Sequence, residues 1–320
     1  MTSSLHLAPA RVELAPHAAP FQRVLLGIDF GPASLAAARW SAANVAIRAE
    51  SILAHVMPVP EPDALNGDDI ERLETLREMR LGIAGGLGGF AATLDAANVR
   101  TLVRLGSPSR WLASIANDTE SSLVVLGRRA DANRTRVGEP NVIERVARRT
   151  SASVLVVPER IAPSVERIVA AVDESAFAPK VLAIAKRLAR VHEVPLLIVH
   201  VLSPAVGSYE RTTRSGRKAA PGESSGAIVD SAKVPPRLPV RLGRWLVGLA
   251  RSHNVLGRDR TDVTVGDPVR ELTAAAIPND GTLLVLGMCG ADGAPAGSVG
   301  SVARELLTRG GMSVLAVNAI

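Results

Sequence analysis

The sequence predicts an α/β protein made of two parallel-stranded domains in tandem. Three observations carry that expectation: the chain repeats its own landmarks, each copy contains short β-branched apolar runs, and the segments between those runs have helical period. "FQRVLLGIDFGPASLAAARWSAANVAIRAESILAHVMP" from Phe21 is answered by "VERIVAAVDESAFAPKVLAIAKRLARVHEVPLLIVHVLSP" from Val165. Asp29 matches Asp173, His55-Val56 matches His200-Val201, "LGSPSRWLASIA" matches "VGDPVRELTAAA", and "SSLVVLG" matches "GTLLVLG". Both copies close alike, in "ASVLVVP" and "MSVLAVN".

The elements follow in order along the second copy. "RIVAAVD", "PLLIVHV", "RTDVTV", "TLLVLG" and "SVLAVN" read as strands, because short continuous apolar runs suit strands covered on both faces. Between the first two, "APKVLAIAKRLARV" sets Val181, Leu182, Ala185, Leu188 and Ala189 on one helical face, with Lys186, Arg187 and Arg190 largely off it. Strands alternating with helices imply right-handed crossovers and a parallel sheet covered on both faces. Each copy is therefore expected to be a five-stranded Rossmann-like domain with helices on both faces.

The spacing of the landmarks locates the extra chain. Asp173 lies 144 residues after Asp29 and His200 lies 145 after His55, whereas Gly266 and Gly287 each lie 160 after Gly106 and Gly127. About fifteen residues are thus inserted between Val201 and Gly266. The Pro/Gly/Ser-rich segment at about 203–240 is the expected insertion, flexible because its low apolar content cannot offset the entropy of ordering it. The expected layout is a disordered leader over 1–20, a first domain over 21–160 and a second over 161–320.

A net charge of +6 and a pI near 10.3 raise the question of a nucleic-acid partner. The basic residues are scattered, however, and their densest groups, Arg211 to Lys218 and Arg237 to Arg244, fall in the expected insertion. Eight aromatic residues in the whole chain also give little from which to build a stacking platform. Nucleic acid is therefore not the expected partner. Cys289 is the only cysteine, which excludes an intrachain disulfide or a cysteine zinc site. No apolar run has membrane-spanning length, and the leader has neither a basic start nor a compact apolar stretch, so a cytoplasmic location without membrane insertion is expected.

"LLVLGMCGADGAPAGSVGSV", Leu283 to Val302, dissolves from a strand into small residues before "SVARELLTRGG" turns helical. Ligands of open α/β sheets bind beyond the carboxyl ends of the strands. A helix start there offers unpaired N–H groups and the positive end of the peptide dipole. A loop with so little side chain lets an anion approach those amides.

Gly287, Gly290, Gly300 and Ser301 fit G-x2-G-x9-G-[S/T], and with this pattern the chain resembles the universal stress proteins, in two copies per chain. The resemblance extends to the first-strand Asp, the "HV" of the second strand, the "GDP" turn and the closing apolar strand. It implies a fold of adenine nucleotide-binding type and, as ligand, ATP or a related adenine nucleotide with or without Mg2+. By position it implies that Asp173 and Val201 lie by the nucleoside, Val201 through its backbone to adenine. Gly287, Gly290, Gly300, Ser301 and Val302 would hold ribose and phosphates. The family also dimerises through its last strands, so the chain is expected as a homodimer or as an intrachain pseudo-dimer.

The first copy departs from the pattern. The equivalent positions are Gly127, Ala130, Pro140 and Asn141: Pro140 has no N–H to offer, Ala130 adds a Cβ, and Asn141 replaces the hydroxyl. Arg128, Arg129, Arg134 and Arg136 crowd the same loop, expected as a solvated basic loop on a degenerate site, the alternative being a grip on another anion. Asp29 is read as a cap for the following helix, and Asp173 as either a cap or a ligand contact. His55 and His200 are expected to be structural, and Cys289 an inert small residue.

Three function classes remain open to the sequence. The preferred one is a stress-response regulatory protein whose second domain binds an adenine nucleotide. The second is a slow ATPase, against which stand the lack of a Walker lysine, of paired carboxylates and of an evident general base. No catalytic residue or protein metal site is assigned. The third is a ligand-free scaffold that binds other proteins.

Overall fold

The computed structural model describes residues 20–58, 69–94, 96, 98–129, 141–203, 237–252, 259–276, 281–289 and 298–318. The leader 1–19, the inserted segment 204–236, and Ala130, Arg134, Arg136, Pro140 and Gly290 lie outside the described residues.

The first half runs β1 (Arg23–Gly27), α1 (Pro32–Asn44), β2 (Glu50–Met57), α2 (Asp69–Ala91), β3 (Asn98–Leu105), α3 (Pro108–Asp118), β4 (Leu123–Arg128), α4 (Val142–Ala147) and β5 (Ser153–Pro158). The second runs β6 (Arg167–Ala171), α5 (Ala178–Val191), β7 (Leu196–Leu202), α6 (Arg237–Ser252), β8 (Arg260–Val265), α7 (Pro268–Ala276), β9 (Thr282–Gly287), α8 (Ser301–Arg309) and β10 (Ser313–Val317). Each half is the expected parallel five-stranded sheet with helices on both faces. The predicted face of α5 is the buried one: Val181, Leu182, Ala185, Leu188 and Ala189 are all inside.

The two sheets are continuous. Strand order is β3-β2-β1-β4-β5-β10-β9-β6-β7-β8, and the only antiparallel pairing among the described strands is the central one, Val156 to Val314, Leu155 to Leu315 and Val154 to Ala316. Pairing through the last strands thus occurs within the chain. One face of the sheet is covered by α1, α2, α5 and α6, the other by α3, α4, α7 and α8.

Two expectations need correction. "RTDVTV" is β8, at an edge, and its first three residues are exposed, which is why Arg260 and Asp262 interrupt its apolar residues. The basic group Arg237 to Arg244 belongs to α6 and not to a flexible insertion. Leu242, Leu246 and Ala250 recur at four-residue intervals and pack against the sheet, while Arg241 and Arg244 face out.

The segment between β5 and β6 is tied to the first half. Trp40 Nε1 donates to the Ala162 carbonyl at 2.9 Å. Asn44 Nδ2 donates to the Pro163 carbonyl at 3.0 Å, and Asn44 Oδ1 accepts from the Val165 amide at 3.0 Å. His192, just past α5, donates through Nε2 to the Asn44 carbonyl at 2.6 Å. Burial lowers the pKa of His192 from its ordinary value, opposed by that hydrogen bond.

Candidate functional site

Strand order in the second half reverses between β6 and β9: the chain leaves β6 through α5 toward β7 on one side and leaves β9 through α8 toward β10 on the other. Chains diverging to opposite faces leave a gap at the carboxyl end. A cleft of about 360 Å3 occupies it, lined by Ala171 to Asp173 at the end of β6, Val199 and Val201 of β7, Leu286, Gly287 and Cys289 at the end of β9, and Gly300 to Ala303 at the start of α8. Asp173, Val201, Gly287, Gly300, Ser301 and Val302, the sequence-predicted site residues that fall among the described ones, all lie on this one cleft.

Val201 is placed by strand parity. The Val199 carbonyl accepts from the Val172 amide at 2.9 Å, toward β6, and the Leu202 carbonyl accepts from the Gly266 amide at 3.1 Å, toward β8. Alternate residues of a parallel strand bond to opposite neighbours, so Val201 turns its N–H and C=O toward β6. That strand ends at Ala171. The Val172 carbonyl is engaged by His200, whose Nδ1 donates to it at 2.9 Å from a buried ring set edge-on to Trp245. His200 thereby holds the exit of β6 off the end of β7. His55 does the same in the first half, donating to the Ile28 carbonyl at 2.8 Å. Both histidines have a structural part, as expected.

Neither aspartate caps a helix, contrary to one reading of the sequence. Asp29 Oδ1 accepts from the Gly31 amide at 2.8 Å, and Asp173 Oδ1 accepts from the Ser175 amide at 3.1 Å. These are turns closed over two residues, ahead of the N-caps Gly31 and Phe177, and neither N-cap has a side-chain cap bond. Asp29 also accepts from Ser34 Oγ at 2.5 Å. Asp173 stands on the cleft wall, where its carboxylate can accept from a ligand hydroxyl.

Gly300 is the N-cap of α8 and has no side-chain cap bond. Its amide donates to the Met288 carbonyl at 2.9 Å. What Gly300 offers the cleft is therefore room, and the donors with no partner inside the helix are the amides of Ser301, Val302 and Ala303. Cys289 donates through Sγ to the Ser298 carbonyl at 3.0 Å, on the same wall.

The first half closes the equivalent place. A Cβ at Gly127 would lie 2.5 Å from the Ser34 amide nitrogen and closer still to the Ala33 carbonyl, so the first turn of α1 rests on the exit of β4. At Gly287 the nearest atom to such a Cβ is the Cys289 carbonyl at 3.1 Å, with Val181 and Phe177 at about 3.9–4.0 Å. Small residues, Pro32-Ala33-Ser34, let α1 settle onto the strand where the second half keeps a gap. Asn141 adds to the closure: it is the N-cap of α4, and its Oδ1 accepts from the Glu144 amide at 2.9 Å. The repeat aligns Asn141 with Ser301, yet Ser301 is the first residue of α8 whereas Asn141 stands one step outside α4 and takes up a helix-start donor itself.

The basic loop is corrected too. Arg128 is 5% exposed and reaches across the central strands into the second half. It donates to the carbonyls of Leu306 at 3.3 Å, Leu307 at 3.0 Å and Met312 at 2.8 Å. Burial lowers its pKa to about 10, still far above neutrality, so the guanidinium is charged. It is neither solvated nor available to an anion. Arg129 is exposed at the end of the described stretch.

The residues present fit an adenine nucleotide: an open strand edge at Val201, an apolar wall from Val172, Val199 and Leu286, a carboxylate at Asp173 and a helix start at Ser301. For a divalent cation the described lining supplies one carboxylate, Asp173, and among the described residues no group of three or more His, Cys, Asp or Glu could hold a metal. No helix among the described residues is long and apolar enough to cross a membrane.

The sequence model of the universal stress protein family matches residues 20–158 and again 164–318. A universal stress protein from Archaeoglobus fulgidus DSM 4304 has a similar structure, with TM-score 0.62 at 15% identity over 94% of this chain and 97% of that one. A putative universal stress protein from Pseudomonas aeruginosa UCBPP-PA14 aligns with TM-score 0.54 at 12% identity, over 93% of this chain and 94% of that one. At these identities the likeness is one of fold. No curated protein sequence matches the chain.

Proposed function

Since the chain belongs to the universal stress protein family in both of its halves, we propose that it is a stress-response regulatory protein that binds one adenine nucleotide, ATP or a close relative, in the second half. The observation that carries this reading is the cleft between β6, β9 and the start of α8, where six of the seven expected site residues converge. Val201 would meet adenine through its backbone, and Asp173 would accept from ribose hydroxyls. The amides at the start of α8 would meet phosphate across the space left by Gly287 and Gly300. Mg2+, where present, would be carried mainly by the phosphates.

The same features support binding over turnover. They orient and hold an anion but place no lysine or histidine on the described cleft wall to move a proton or stabilise a leaving group. Occupancy would then act by stabilising the conformation that binds, which a partner can read. Release of adenine nucleotide from heat-denatured purified protein, identified by mass spectrometry, together with calorimetric titration of nucleotide-free chain with ATP, tests the reading. Absence of both bound nucleotide and heat of binding would favour the scaffold reading instead.

A further inference from the structure

Helix α8 has its start on the cleft and its end in the contact between the halves. At its end, the Leu306 carbonyl accepts from the Gly310 amide at 3.0 Å, and the Leu307 carbonyl belongs to the last turn, beyond the reach of the helix's own N–H groups. Arg128, from the last position of β4 in the other half, supplies the donors, and the Met312 carbonyl completes its fork. Its backbone is fixed by the sheet, since the Arg128 carbonyl accepts from the Glu159 amide at 2.9 Å. A cation at a helix C-terminus also offsets the negative end of the peptide dipole, so the positive end at Ser301 is less opposed.

The repeat shows that this contact is not required for packing alone. Met288 stands at the position equivalent to Arg128, 2% exposed, and brings no charge to the corresponding end of α4. Of these two equivalent positions, the charged one therefore serves the helix whose other end lines the cleft. From this we infer that Arg128 is a positioning residue of the second-half ligand site: it holds α8 from the first half, and ligand binding at Ser301 is coupled through the helix to the seam between the halves.

The inference rests on the proposed nucleotide reading for its ligand, and the test separates the two. In Arg128→Met, which copies the residue at the equivalent position, ATP affinity measured by calorimetry on the full chain is expected to fall about fivefold or more. Equal affinities in wild type and variant overturn the inference while leaving the nucleotide reading intact. Absence of binding in wild type overturns the nucleotide reading, and the inference is then decided without ligand by amide hydrogen exchange. If Arg128 positions the whole helix, the Gly300 amide, bonded to Met288 at the far end, exchanges faster in Arg128→Met. Faster exchange confined to the amides of 306–310 overturns the inference, because it marks a merely local cap. Should Arg128→Met fail to fold, Arg128→Lys carries the same comparisons, with an effect in the same direction expected from a single ammonium in place of the fork.

Discussion

Arg128 in the first half donates to the carbonyl of Leu307 in the second at 3.0 Å, across 179 residues of chain. The contact reaches past the β5–β10 seam and puts a charged group against the end of a helix that opens on the cleft. On the opposite face of the sheet the relation is reversed, with His192 of the second half donating to the Asn44 carbonyl at the end of α1. Each half thus supplies a donor to a helix terminus of the other. Truncation by Arg128→Ala leaves three carbonyls without that donor and removes the packed side-chain stem. A loss of about 2–4 kcal/mol is expected in denaturant unfolding, larger than for an exposed arginine such as Arg110.

The closed first half makes a sharp contrast between equivalent glycines. Gly127→Ala drives a methyl into the backbone of α1 and should cost about 1–3 kcal/mol or more, because backbone cannot rotate away as a side chain can. Gly287→Ala needs only a small shift of the Cys289 carbonyl and should cost less. Comparable losses in the two variants, measured by thermal or denaturant unfolding, would contradict the closed and open geometries described for the two halves.

At Gly300 stability and binding are expected to move apart. Asp at an N-cap stabilises a helix by accepting from its first amides, so Gly300→Asp should leave the melting temperature unchanged or raised. The same carboxylate occupies the donors and repels an anion, so ATP binding should be lost. Ser301→Ala should be milder, costing about 1.5–3 kcal/mol of affinity if its hydroxyl bonds a charged phosphate. Calorimetry paired with thermal unfolding on each variant checks both.

Acid should loosen the contact between α5 and α1. Burial holds the pKa of His192 below its ordinary value, so the unfolded chain takes up a proton more readily than the folded one. Its contribution is present above the unfolded value, about 6.5, and is lost as pH falls from there through the lower folded value. His192→Gln keeps an N–H donor and removes the titration. Its melting temperature should fall less steeply than that of wild type between about pH 7 and pH 5.

The parts of this architecture that repeat were legible in the sequence. Paired landmarks such as Asp29 with Asp173 and His55 with His200 marked the same succession of strands and helices along both halves, and the apolar spacing of α5 marked its buried face. The glycines and Ser301 pointed to the cleft because a loop poor in side chain, between a strand and a helix, has few other uses. The relations between the halves were not legible. Arg128 sits in a run of charges, and its partners lie 178 to 184 residues away, so only its pairing with an apolar Met288 in the repeat hinted at burial. Likewise the closure at Gly127 depends on how near α1 approaches β4. Pro32-Ala33-Ser34 permits that approach, but small residues alone do not say that the helix takes it. The leucines of α6 were hidden by the prolines and arginines around them.

Nucleotide is expected to bind in the second half and not in the first. The α1 backbone fills the place at Gly127, and Asn141 takes up a helix-start donor, whereas Gly287 and Gly300 leave the second half open. A calorimetric titration of nucleotide-free chain with ATP measures this directly. Saturation near one equivalent per chain, abolished by Gly300→Asp, is the predicted result. Two equivalents, or one that persists in Gly300→Asp, would place a working site in the first half and contradict the assignment of binding to the second.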